Sequence, residues 1–130
     1  MKKGLLILTL AMLSIPFQQT ARAEDKTKEV MIGIADAFIP GGFNSGSDAY
    51  VVANGIFPNG CYRWARASVT NVTDLTHEVK SFASVQQGLC LMVLVPFNKE
   101  IRLGKLARGN HSIRFLNGDG TYLEKQMTIE

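Results

Sequence analysis

The sequence contains few of the residues from which enzymes build reactive sites. It has only two histidines, His77 and His111, and only two cysteines, Cys61 and Cys90. A hydrolytic triad needs a base hydrogen-bonded to a nucleophile and an acid that orients the base, and the nucleophile motif Gly-x-Ser-x-Gly is absent. We therefore expect no catalytic residue and no enzyme. His77 should be solvated at the start of a strand, and His111 should pack at a corner.

Spaced metal ligands and a phosphate-binding loop are also missing. The segment Asn117-Gly-Asp119-Gly resembles a calcium loop in its first residues, but the remaining oxygen ligands are absent and a hairpin turn explains it. Residues 44–48 could offer backbone carbonyls to calcium, although a plain polar loop is the simpler interpretation. Gly104-Lys105 lacks the glycine that opens a phosphate-binding loop. We expect neither a metal ion nor a cofactor.

No apolar run in the sequence is long enough to cross a bilayer as a helix. The longest, at residues 5–17, has about 13 residues, whereas a span needs about 20. Two lysines precede it and the small-residue site Ala21-Arg-Ala23 follows it, which is typical of a cleaved signal peptide rather than of a membrane anchor. We predict a signal peptide over residues 1–23 and one mature domain over residues 24–130.

The short leader with its lysine pair is typical of a bacterial precursor. The mature domain is therefore expected in the periplasm or outside the cell. The two glycosylation sequons, Asn71-Val-Thr73 and Asn110-His-Ser112, would normally be unused in a bacterium. In the secretory pathway of a eukaryotic cell, both would be exposed loop sites.

The excess of basic charge disappears with the leader. Three of the 14 basic residues precede residue 24, whereas all 11 acidic residues follow it, so the mature chain has no net charge. A neutral domain gives no support to nucleic acid or to an anionic membrane as the partner. We expect the partner to be another envelope or secreted protein, and we expect no integral membrane segment after cleavage.

The two cysteines of an exported chain usually pair. Their spacing is not that of a Cys-x-x-Cys redox pair, and no helix N-terminus is evident that would lower a thiol pKa. We therefore predict a structural disulfide between Cys61 and Cys90 rather than a reactive thiol pair. Closing that loop stabilises the fold by about 3 to 4 kcal/mol in the chain-entropy view, a large part of the ~5 to 15 kcal/mol of a typical domain.

Sustained helical periodicity is missing, and short β-rich runs take its place. Glycine, proline and asparagine separate these runs, which is typical of a β-sandwich or barrel. The predicted strands are residues 30–34, 50–57, 61–70, 77–85, 90–95, 101–103, 111–116 and 122–129.

Two features of this pattern make specific predictions. The turn Asn117-Gly-Asp-Gly120 supplies residues that accept positive φ, so the last two strands should form a tight hairpin. Residues 90–95 are apolar at every position, so we expect a strand in the middle of a sheet with both faces covered. Residues 96–99 should then form the turn after it.

A local resemblance supports the sandwich. The stretch Leu103-Gly-Lys-Leu-Ala-Arg-Gly-Asn-His-Ser-Ile-Arg-Phe115, which continues to Gly118, leads from a leucine and a glycine into an alternating strand. It resembles the penultimate corner and strand of immunoglobulin-like and fibronectin-type-III-like domains, such as those of secreted bacterial proteins. The resemblance implies a single immunoglobulin-like antiparallel β-sandwich and no particular activity. Two features depart from the pattern: His111 stands where such corners usually carry tyrosine, and Cys90 lies one strand before the corner.

Aromatic residues near the predicted loops are the candidate binding residues. Phe38 and Phe43 flank a glycine-rich stretch, and Phe57 and Tyr62 lie close to the first cysteine. Aromatic side chains on loops are typical binding anchors, although the same residues could instead belong to the core. For Trp64, two residues beyond Tyr62, we favour the core, where many sandwiches bury a tryptophan.

These features predict an exported, non-enzymatic binding or structural module of the cell envelope or secretome. The alternative is a proteinaceous inhibitor of an exported hydrolase, such as a protease or a lysozyme. A small disulfide-closed β domain with a rigid protruding loop suits that task. The inserted loop would then be residues 44–48 or residues 58–60.

Overall fold

The computed structural model of the chain has an all-β fold. It describes Gly4, residues 14–16 and residues 26–130, and every regular element in them is a strand. The predicted signal peptide lies outside the described residues except at Gly4 and residues 14–16. The strands are β1 (Thr27–Ile32), β2 (Asp36–Phe38), β3 (Ala49–Phe57), β4 (Tyr62–Thr73), β5 (Thr76–Gln86), β6 (Val95–Gly104), β7 (Gly109–Leu116) and β8 (Tyr122–Ile129).

Strand β5 is the centre of the larger sheet. Along one edge it pairs antiparallel with β4. Its other edge meets two strands in succession: residues 76–80 pair in parallel with β7, and residues 81–86 pair antiparallel with β1. Strand β8 pairs antiparallel with β7. Both edges of β5 are therefore occupied.

The smaller sheet has the antiparallel order β2-β3-β6. Its middle strand β3 alternates strictly over its first residues: Ala49, Val51 and Ala53 are fully buried, and the side chains between them are partly exposed. Successive side chains of a strand point to opposite faces, so one face of this sheet is turned inward. The two sheets form a β-sandwich with one disulfide, as predicted. The parallel pairing of β5 with β7 departs from the wholly antiparallel arrangement that the resemblance implied.

The core lies between the two sheets. From the larger sheet it receives alternating residues of the last two strands, among which Ile113 and Phe115 are fully buried and Met127 and Ile129 nearly so. Burying each such side chain stabilises the fold by about 1.5 to 3 kcal/mol. The alternation that predicted these strands is thus the feature that builds the core.

The predicted C-terminal hairpin is confirmed. Strands β7 and β8 pair antiparallel along their whole length. In the turn, the backbone N–H and the hydroxyl of Thr121 donate to the Asp119 carboxylate at 3.0 and 2.6 Å. Gly120 has a φ of 89°, which glycine adopts without steric strain. The turn itself accounts for the Asn-Gly-Asp-Gly sequence.

The prediction of a middle strand at residues 90–95 is wrong. These residues connect β5 to β6, which begins only at Val95, and the predicted turn at residues 96–99 lies inside β6. An apolar run without alternation carries no information about which of its faces is buried. In the fold, the interior strands β3, β5 and β7 have partners along both edges. Other strands therefore occupy the middle positions of both sheets.

Candidate functional site

The disulfide closes one end of the sandwich. Cys61 immediately precedes β4, Cys90 lies in the connection between β5 and β6, and their Cα atoms are 5.3 Å apart. The predicted pairing is confirmed. Both cysteines of the chain are in this bond.

Backbone hydrogen bonds hold the connection beside the disulfide. The N–H of Gly60 donates to the carbonyl of Leu91 at 2.8 Å, and the N–H of Gln86 donates to the carbonyl of Cys61 at 3.0 Å. The first bond joins the connection to the turn at residues 58–60. The covalent bond and these hydrogen bonds together fix the position of the connection relative to the sheets.

The connection carries the largest group of exposed apolar side chains in the described part of the chain. We call residues 89–94 the apolar loop. Leu89 is fully exposed, and the exposed fractions of Leu91, Met92, Val93 and Leu94 are 76%, 83%, 53% and 71%. In a half-buried strand every second side chain would be covered. Here four consecutive side chains face solvent, so both faces of the segment are open.

An aromatic cleft of about 450 Å³ opens beside the apolar loop, between β4 and β6. The Phe57 ring stacks on Phe97 with ring centroids 4.4 Å apart and on Tyr62 with centroids 5.8 Å apart. These rings make one wall of the cleft rigid. The cleft is lined mainly by aromatic and basic side chains, among them Phe57, Tyr62, Arg63, Trp64, Phe97 and Lys99.

The four aromatic residues proposed from the sequence as binding residues lie in different environments in the structure. Phe57 is buried at 4% exposure, and Tyr62 is half-buried in the wall of the cleft. Phe43 is half-buried and packs edge-on against Tyr50, with ring centroids 5.4 Å apart. Tyr50 and Phe57 are seven positions apart on β3, which corresponds to roughly 23 Å.

Phe38 remains the most exposed of the four, at 65%. It lies on β2, opposite Val52 of β3, on the outer face of the smaller sheet. The binding roles of all four residues stay predictions. Trp64, which was assigned to the core, packs partly against the core cluster and lines the cleft with the rest of its side chain.

A family model for the ORF11 beta-sandwich domain matches residues 51–129. The match covers more than half of the chain and runs from within β3 to the end of β8. The chain belongs to the ORF11 beta-sandwich domain family. The matched segment contains both cysteines, the apolar loop and the aromatic cleft. Comparison with curated proteins and with solved structures gave no match.

At the opposite end of the ORF11 beta-sandwich domain, the two histidines form a buried pair. The exposed fraction of His77 is 1% and that of His111 is 0%. His77 Nε2 lies 2.8 Å from His111 Nδ1, His77 Nδ1 lies 2.6 Å from Asn71 Oδ1, and His111 Nε2 lies 2.5 Å from the Ala107 carbonyl oxygen. All four ring nitrogens therefore have partners within the protein. Neither ring has a nitrogen left to take a proton from a nucleophile.

The prediction that His77 is solvated is wrong, whereas the prediction that His111 packs at the corner is confirmed. His77 is buried because the parallel pairing of β5 with β7 places it opposite Ile113, inside the sandwich. Burial lowers the pKa of His77 below its ordinary value of 6.5, and the neighbouring His111 lowers it further. Burial therefore favours the neutral form of the His77 ring in the folded domain.

The described residues offer no cluster of three or more His, Cys, Asp or Glu side chains that could hold a metal ion. Within the same residues, no helix is long and apolar enough to pass through a bilayer.

The feature of the ORF11 beta-sandwich domain that sequence reasoning missed is the exposure of the apolar loop. No local signal could have found it, because an apolar run that does not alternate has the same sequence pattern whether it is buried or exposed.

Proposed function

We propose that this chain is an exported, non-enzymatic binding or structural module of the cell envelope or secretome. The apolar loop is the observation that carries the proposal. Five large apolar side chains on one short connection are unusual on a soluble domain, and such patches typically mark an interaction site. The disulfide at the base of the loop fits an oxidising compartment, in agreement with the predicted signal peptide.

The energetics favour a binding role for this loop. Burying five such side chains would gain on the order of 10 kcal/mol before the costs of association are subtracted. Those costs, about 4 to 15 kcal/mol, include the ordering of flexible segments. The disulfide and the bond between Gly60 and Leu91 already order the base of the loop. Preorganisation of this kind leaves more of the gain for affinity.

Two finer parts of the proposal come from the sequence. A bacterial origin is supported by the short leader with its two lysines. An immunoglobulin-like topology is supported by the resemblance at residues 103–118 and by the two-sheet sandwich. Neither part assigns an activity, because sandwiches of this kind serve many unrelated functions.

The test uses the mature chain, residues 24–130, mixed with the envelope fraction and with culture medium of the producing cell. The loop variant is Leu91→Ser/Met92→Ser, which removes apolar surface at two strongly exposed positions. The matched control is Val72→Ser/Leu75→Ser, which changes two exposed apolar residues at the opposite end. We expect wild type and control to bind components of the envelope fraction or of the medium, and we expect the loop variant not to bind them. Equal retention of all three proteins, or of none, would contradict the proposal.

An inhibitor of an exported hydrolase is the second candidate. The specific observation in its favour is that the turn at residues 58–60 and the apolar loop lie side by side on a disulfide-clamped base, a shape that can enter a cleft. The other loop considered, residues 44–48, is closed on itself by hydrogen bonds between Asn44 and Ser47. Titration of exported proteases and of lysozyme with the mature chain checks this role. Undiminished hydrolysis at saturating protein would argue against it.

A further inference from the structure

We infer that the apolar loop inserts into the surface of a lipid bilayer that carries anionic headgroups. The inference rests on the proposed binding function of the same loop and names its partner as a lipid surface rather than a protein. It depends on three properties of the disulfide end of the sandwich: the directions in which the apolar side chains are exposed, the charges at the base of the loop, and the aromatic side chains of the adjoining cleft.

The exposure of the loop on all sides favours a lipid bilayer over a folded protein as the partner. Residues 91–94 are consecutive, and each is more than half exposed. Successive side chains of an extended segment point in different directions. A groove on a folded partner would cover one face and leave the other in water, whereas lipid can surround the segment. A shallow depth, about 5 to 10 Å into the boundary of headgroups and acyl chains, leaves the loop backbone within reach of water.

Charge is absent from the loop and basic at its base. Residues 86–98 contain no ionisable side chain other than the disulfide-bonded Cys90. Arg63 and Lys99 are exposed and line the cleft next to the loop. The acidic neighbours Glu29 and Glu100 are paired with Arg66 at 2.7 Å and with Arg102 at 4.0 Å. A neutral chain overall can therefore present a basic rim locally, which complements anionic headgroups.

Aromatic side chains share the cleft beside the loop with the basic residues. Tyr62 and Trp64 are half-buried in the cleft, each with part of its ring exposed. Tyrosine and tryptophan are enriched at the level of the headgroups, because their rings combine an apolar body with a polar tip. Apolar, aromatic and basic side chains therefore lie together at the disulfide end of the sandwich. Hydrocarbon, the headgroup boundary and an anionic surface favour these three kinds of side chain.

The experiment measures binding of the mature, disulfide-bonded chain to vesicles by flotation and by the fluorescence of Trp64, the single tryptophan of the chain. One set of vesicles is phosphatidylcholine alone, and the other is an equimolar mixture of phosphatidylcholine and phosphatidylglycerol. We expect binding to the mixed vesicles with a blue shift of Trp64 emission. Binding to phosphatidylcholine alone should be about tenfold weaker than binding to the mixed vesicles. Added salt should weaken binding to the mixed vesicles.

Two variants separate the apolar and the charged contributions. Leu91→Ser/Met92→Ser should reduce partitioning to both kinds of vesicle by about tenfold or more. Arg63→Gln/Lys99→Gln should reduce partitioning to the mixed vesicles by about tenfold and leave phosphatidylcholine unaffected. The control Val72→Ser/Leu75→Ser should bind like wild type. All changed side chains are exposed or line the open cleft, and thermal unfolding verifies that each variant is folded.

Several results would overturn the inference. Wild type that fails to float with mixed vesicles, or a loop variant that floats equally well, excludes lipid insertion. Loop-dependent dimers in solution would assign the loop to a second copy of the chain. Loop-dependent retention by the envelope fraction without vesicle binding would leave the proposed function standing and assign the loop to a protein partner. If the chain binds neither vesicles nor the envelope fraction in a way that depends on the loop, the proposed function fails as well.

Discussion

Removal of the disulfide should destabilise the domain by a predictable amount. The disulfide joins two residues that are 29 positions apart in the sequence. In the variant Cys61→Ala/Cys90→Ala, the unfolded chain regains the conformational entropy that this loop closure removed, which lowers the free energy of unfolding by about 3.5 kcal/mol. Urea unfolding followed by the fluorescence of Trp64 and by far-UV circular dichroism measures this loss. Wild type with reduced thiols is the control, because it keeps both side chains in place. A loss below about 1 kcal/mol in both proteins would refute the chain-entropy reasoning.

The same variant should loosen one end of the domain more than its core. The N–H of Gly60 donates to the carbonyl of Leu91 beside the disulfide, so hydrogen exchange at Gly60 should become much faster. The amide of Val79, in the centre of the larger sheet and 1% exposed, should still exchange only through global unfolding. Unchanged protection at Gly60 would mean that the disulfide does not anchor the loop.

Three further predictions concern the histidine pair and the core. Because the pKa of His77 is lowered in the folded state by burial and by His111, the unfolded chain binds the proton first as the pH falls below 6.5. The free energy of unfolding should therefore decrease between about pH 7 and pH 5, and urea unfolding of wild type and His77→Gln, which should lose less, checks the sign. Gly55→Ala would place a methyl carbon 2.5 Å from the Phe97 ring and should lower stability by about 1 to 3 kcal/mol in thermal unfolding. Phe115→Ala at a fully buried position should lower it by about 3 to 5 kcal/mol in urea unfolding, whereas Phe115→Leu should lower it by less.

Local patterns predicted a large part of the fold. The alternation in β3, β7 and β8 placed these strands close to their observed bounds, because a period of two describes a strand with one buried face. The turn chemistry of residues 117–120 predicted the C-terminal hairpin for a similar reason, since few residues accept positive φ. The disulfide followed from the presence of just two cysteines.

The candidate site was predicted only in part. Aromatic residues near Cys61 were proposed as binding residues, and Tyr62 does line the cleft beside the apolar loop. Phe57 instead belongs to the core. The apolar loop itself was assigned to a buried strand. Aromatic composition thus located the right end of the molecule, but it did not reveal which side chains face solvent there.

The sequence by itself determined the all-β class, the hairpin and the pairing of Cys61 with Cys90, because each depends on local geometry or on a simple count. Tertiary structure alone decided that residues 89–94 are exposed and that His77 is buried. Both outcomes depend on strand pairing: other strands occupy the interior positions of the two sheets, and the parallel pairing of β5 with β7 places His77 inside the sandwich. An apolar run or a single histidine reads the same in either environment, so no local pattern could distinguish them.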